Sequence, residues 1–117
     1  MKNRDIVILN QIIKYADEIS GTISRFELDY DKFNNDYIAK NAIAMCILQI
    51  GESAGKLTDE LKSKYSKVPW RDIVATRNRA VHAYGSIDME ILWGIATTNI
   101  IELKIYCEDI LKEMEQN

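Results

Sequence analysis

Residues 36–57 read DYIAKNAIAMCILQIGESAGKL, and this stretch decides the fold class. Its apolar residues Ala39, Ile43, Cys46, Ile47, Ile50 and Ala54 recur in steps of three and four, which predicts a helix over about 36–57. Upstream, Ile6, Leu9, Ile13, Ala16, Ile19 (or Ser20), Ile23 and Phe26 repeat that spacing behind Asp5, a residue type that caps helices, so a first helix is expected over about 5–27. Between them, ELDYDKFNND at 27–36 concentrates Asp and Asn and reads as the reversal. Downstream, Thr58 opens a short helical stretch, TDELKSKY, and Pro69 suits the first turn of a helix over about 69–84 that stops near Gly85. Ile87 and Asp88 supply a staple and cap for a last helix, with Leu92, Ile95, Ala96, Asn99, Leu103, Tyr106, Ile110 and Met114 facing inward. No segment has the period of a strand, and no repeat is visible. The expected fold is all-α, an antiparallel bundle of four to five helices in one domain over 1–117.

The composition agrees: 117 residues, 47% hydrophobic and 28% charged, suit one compact core. Two cysteines are too few for a disulfide framework. Cys46 lies on an apolar stripe and Cys107 near the chain end, so both read as small core residues rather than nucleophiles. The longest uncharged runs, 41–51 and 91–101, hold 11 residues each, against roughly 20 needed to cross a bilayer. MKNRDIVILNQ at the start lacks a small-residue cleavage site, and a cytoplasmic protein is expected.

Two local features stand out from this background. Gly51, Ser53, Ala54 and Gly55 form a small-residue patch inside a helix, where each glycine costs about 1 kcal/mol relative to alanine. Close packing is expected there, against a neighbouring helix or a partner chain. The second feature is charge: residues 62–82 carry Lys62, Lys64, Lys67, Arg71, Arg77 and Arg79 against Asp72, a balance of +5, while the rest of the chain sums to −8. That segment is either a solvated face or the electropositive surface of a protein that meets nucleic acid.

Most catalytic constellations are excluded. With one histidine, a two-histidine acid/base pair within one chain is impossible, and Glu-x-x-His would need an acid where Arg79 stands. No bound metal or cofactor is expected. What remains is Arg77-Asn78-Arg79-Ala80-Val81-His82-Ala83-Tyr84. On a helix Arg77 and Tyr84 fall within about 20° of one another, and Asn78 and His82 share the adjoining face. A guanidinium grips phosphate oxygens and an imidazole titrating near neutrality moves a proton, a set suited to phosphodiester chemistry on RNA, whose own 2′-OH is the nucleophile. The bland alternative is a basic helix end complementing the helix dipole, with an Asn78–His82 hydrogen bond.

Arg77 and Asn78 followed by His82-x-Tyr84 resemble the Arg-x4-His-x-Tyr motif of HepT-like proteins, a branch of the all-helical HEPN superfamily that includes many RNases. Gln49-Ile-Gly51-Glu52-Ser-Ala-Gly55, Pro69-Trp70 and Ile87-Asp88-x3-Leu92-Trp93 also look like that family, so the resemblance covers nearly the whole chain. It implies an RNase toxin of a toxin–antitoxin pair that acts as a homodimer, or a higher assembly, in which two copies of Arg77 and His82 share one groove. On that carry-over Arg77 stabilises the scissile phosphate, His82 is the general acid/base, and Asn78 orients the site. Tyr84 matches the tyrosine to which a minimal nucleotidyltransferase antitoxin attaches AMP. Lys67, Arg71 and Arg79 place positive charge where RNA would run, and Tyr65 and Trp70 could stack on bases, although Trp70 at a helix start also reads as a core anchor. Glu52 is expected to hold Arg77 or Arg71, or else to face solvent. The competing reading is a non-catalytic helical dimer that binds a nucleotidyltransferase or a nucleotide.

Overall fold

A computed structural model describes residues 2–82 and 89–116. Its helices are α1 (Lys2–Arg25), α2 (Tyr30–Asn35), α3 (Tyr37–Gly55), α4 (Asp59–Lys64), α5 (Trp70–His82), α6 (Met89–Gly94) and α7 (Ile100–Gln116), with a π-helical turn, Ile95–Asn99, joining the last two into one rod. Among the described residues there is no strand, and the chain is an all-α bundle of the expected class. No helix among them is long and apolar enough to cross a membrane.

The central helix is α3, which packs against α1 on one side and α5 on the other, while α7 packs on α1. Every apolar position expected to face inward from α3 is buried, Ile43, Ile47 and Ile50 completely. Asp36 caps α3 by accepting from the backbone N–H groups of Ile38 (3.0 Å) and Ala39 (3.1 Å). Burial of side chains of this size contributes about 1.5–3 kcal/mol each, and Leu92, Ile95, Ile100, Leu103 and Ile110 from the last rod complete the same core.

Four expectations need correction. First, α1 starts at Lys2 and Asp5 is not its cap. Asp5 is buried, and its carboxylate accepts from the backbone N–H (3.0 Å) and the hydroxyl (2.6 Å) of Thr58, which itself caps α4. With Asp5 turned inward, Ile8 and Ile12 join Leu9, Ala16 and Ile19 in the core, whereas Phe26 lies past the helix end and is exposed. Second, 27–36 is not a plain reversal: Asp29 caps the short helix α2, which puts Phe33 in the core with its ring 5.0 Å from that of Trp93. Third, α5 begins at Trp70, with Pro69 just before it, its carbonyl accepting from the Ile73 N–H (3.1 Å).

The fourth correction concerns the last helix. Asn99 and Tyr106, expected inside, are exposed, and Ile100 and Cys107 are buried instead. The rest of the expected stripe holds: Leu92, Ile95, Ala96, Leu103 and Ile110 are buried and Met114 is half-buried, so only these two positions differ. Ile87, Asp88 and Gly85, read from the sequence as staple, cap and stop, lie outside the described residues.

Candidate functional site

The site is built on α5. One face of this helix carries Ile73 and Ala80 into the core, and Trp70 anchors its first turn, buried and donating from Nε1 to the Tyr65 carbonyl (3.1 Å). Trp70 is thus a core residue and not a stacking platform. Tyr65 is half-buried, and its phenol is pushed up by burial first and by Glu113 second.

The small-residue patch of α3 meets α5 of the same chain. A Cβ on Gly51 would lie 2.8 Å from Arg77 Cβ and 2.9 Å from Arg77 N. At Gly51 the backbones of α3 and α5 therefore approach closely, and the residue it lies under is Arg77. At Gly55 the approach is looser, with Val74 Cγ1 at 3.9 Å from a built Cβ. Beside this crossing Glu52 projects from α3, and its Oε1 pairs with Arg77 Nε. Of the two arginines considered for Glu52, Arg77 is the one it meets. Both side chains are half-exposed, so the pair adds little to stability; it fixes where the guanidinium points. Burying Arg77 Cα against Gly51 while leaving its head at the surface presents a cation on a rigid helix.

Asn78 is exposed, next along α5. Lys67 and Arg71 are exposed before and within the first turn of α5, and Lys64 pairs with Glu113 at 4.0 Å. His82 is the last residue of α5, five positions after Arg77; its side chain, like that of Arg79, lies outside the described residues, as does all of Tyr84. Among the described residues no three His, Cys, Asp or Glu side chains are grouped as they would be around a metal ion.

Both cysteines are buried and free. Burial, aided by Glu18, pushes the Cys46 thiol up to about 11, and burial with Glu108 pushes Cys107 up to about 12. Neither is a thiolate at neutral pH, which removes them as nucleophiles. Sequence reasoning missed the role of Gly51 as the seat of Arg77, although two glycines inside a helix were its visible signal.

The sequence profile of the family described as “Ribonuclease HepT-like” matches residues 10–110. Among the relatives are two proteins of Methanocaldococcus jannaschii, each named “putative RNase” and each 31% identical. The alignment with one covers 99% of both chains; with the other it covers 98% of this chain and 94% of the relative. A third, named “probable ribonuclease HepT”, from Thermococcus cleftensis, is 27% identical over 84% of this chain and 94% of its own. No solved structure matches significantly.

Proposed function

The chain belongs to the HepT-like ribonuclease family, and from that membership we propose that it is a metal-independent endoribonuclease whose Arg77 and His82 act in a cleft between two copies of the chain. The observation that carries this reading is the seating of Arg77: its backbone is fixed by Gly51, its head is held by Glu52, and His82 closes the same helix about 7.5 Å of rise further on. Relatives named as RNases support RNA as the substrate class.

The chemistry needs few parts. The RNA 2′-oxygen attacks the adjacent phosphorus while its proton passes to the His82 imidazole, and the bond from phosphorus to the 5′-oxygen breaks. A protonated His82, from the second copy, returns a proton to the leaving oxygen. Arg77 stabilises the charge gathered on the phosphoryl oxygens in the transition state, where a fixed guanidinium is worth more than a mobile one. Asn78 orients the site, Glu52 positions Arg77, and Lys67, Arg71 and Arg79 hold flanking phosphates. The products are a 2′,3′-cyclic phosphate and a free 5′-OH. In this reading the chain is the toxin of a toxin–antitoxin pair in the cytoplasm. A minimal nucleotidyltransferase antitoxin silences it by adding AMP to Tyr84, whose added bulk and negative charge beside the cleft repel phosphate.

Cleavage of a structured RNA in chelator, by protein whose mass shows Tyr84 unmodified, tests the proposal. We expect a cyclic phosphate end, a loss of about 10²-fold or more in His82→Ala and Arg77→Ala, and a loss of about tenfold in Glu52→Gln. Undiminished cleavage by His82→Ala would remove the assignment, and no cleavage by wild type on several RNAs would favour a binding module for a nucleotidyltransferase.

A further inference from the structure

Between the first half of α5 and the π turn lies a cleft of about 300 Å³, at the lower end of the volumes that hold small ligands. Its walls belong to helices that pack elsewhere, α5 on α3 and α7 on α1. The floor is apolar, made by the buried side chains of Ile73, Ile95 and Leu103. The rim carries Asp72 from α5 and Glu102 and Tyr106 from α7, all exposed. Tyr106 lines this cleft instead of entering the core.

The charged groups of this cleft have one sign, and the Asn99 amide beside them is neutral. Among the described residues no cationic side chain lines it, and neither Asp72 nor Glu102 makes an ion pair. The Thr76 hydroxyl on the same wall already donates to the Ile73 carbonyl (2.6 Å), so toward a ligand its oxygen is left as an acceptor. Two carboxylates repel phosphate, so the cleft is no part of an RNA path. Purely apolar ligands fit no better, because they would strip water from both carboxylates without replacing it. A cation on an aliphatic stem satisfies both surfaces: its methylenes cover the floor, and its charge meets the rim carboxylates and the face of Tyr106.

We propose that this cleft binds an alkylammonium or alkylguanidinium cation, held by Asp72 and Glu102 with its stem on Ile73, Ile95 and Leu103. The site is independent of the RNase reading. Its cation comes either from a free polyamine or from a lysine or arginine side chain of a partner protein, and the two sources are separable. The full chain, labelled with ¹⁵N, is titrated with spermidine and separately with the peptide acetyl-Gly-Arg-Gly-amide, following the Asn99 side-chain amide and the backbone of Glu102. Saturable 1:1 binding is expected with at least one probe. It should weaken at least tenfold in Asp72→Asn/Glu102→Gln and stay unchanged in Asp109→Asn/Glu115→Gln, which removes the same charge elsewhere, with circular dichroism confirming both folds. Response to spermidine alone assigns a free amine, and response to the peptide alone assigns a protein side chain. Saturation by neither probe, or equal weakening in both double variants, would overturn the site.

Discussion

Cys107 lies wholly inside the bundle, and its thiol, like that of Cys46, keeps its proton to a pH far above the ordinary value of 9.0. The consequence for stability has a definite sign. Both folded-state values are raised, so the contribution is complete below pH 9, where the thiols of the unfolded chain also hold their protons. It is lost as pH climbs toward about 11 and 12. Urea denaturation followed from pH 8 to pH 10.5 should show stability falling above pH 9 by about 1.4 kcal/mol per unit for each thiol, and Cys46→Ala should remove one thiol's share of that slope. At this scale much was legible in the sequence: the cysteines read as core, and they are. Asp5 was not legible, because a short acid ahead of an apolar stripe looks like a cap, and only the arrival of Thr58 from elsewhere in the chain explains why it is buried.

Gly51 and Gly55 are four positions apart on α3 and look equivalent, yet they play different parts at the level of helices. An added methyl at Gly51 meets Arg77 backbone, which cannot rotate away, so α5 must shift as a body. Gly51→Ala should cost about 1–2 kcal/mol in urea denaturation, despite alanine's better helix propensity, and should lower RNA cleavage by displacing Arg77. Gly55→Ala meets only Val74 at ordinary contact distance and should gain up to about 1 kcal/mol with cleavage unchanged. If the two substitutions behaved alike, the close crossing would not be what seats Arg77. Element positions were largely legible, since α1, α3, α4, α5 and the last helix fall where apolar spacing put them. The inward face of the last helix was legible at Leu92, Ile95, Ala96, Leu103 and Ile110 but not at Asn99 and Tyr106, because steps of three and four admit Asn99 or Ile100, and Tyr106 or Cys107, equally well. The α2 helix was hidden for another reason: its Asp and Asn residues are turn formers, and Phe33, with Leu28 and Tyr30 packed beside it, pulls the segment onto the core.

Across the whole molecule the charge is uneven, with +5 in residues 62–82 against −8 elsewhere. On the proposed reading RNA runs along that basic segment, and its binding then depends on salt more sharply than the net charge of −3 suggests. For single-stranded RNA the affinity of His82→Ala protein should fall linearly on a log–log plot of salt, and adding Lys67→Ala with Arg71→Ala should reduce the slope by about 1.4. Filter binding between 50 and 200 mM salt (roughly the range over which counterion release is read) measures it. An unchanged slope would mean that these two exposed cations never meet phosphate. The link between Asp5 and Thr58 belongs to the same scale, because it joins residues 53 apart in the chain. Its meaning is kinetic. Closing so long a loop is entropically costly, so this contact is expected to form after the rate-limiting barrier, once neighbouring helices have docked. Stopped-flow measurements on Asp5→Asn should therefore show unfolding about tenfold faster with refolding almost unaltered, and a slowed refolding limb would place the link before the barrier. On the expected outcome one carboxylate near the start of the chain sets how long each molecule persists between openings, and with it how long a protease must wait.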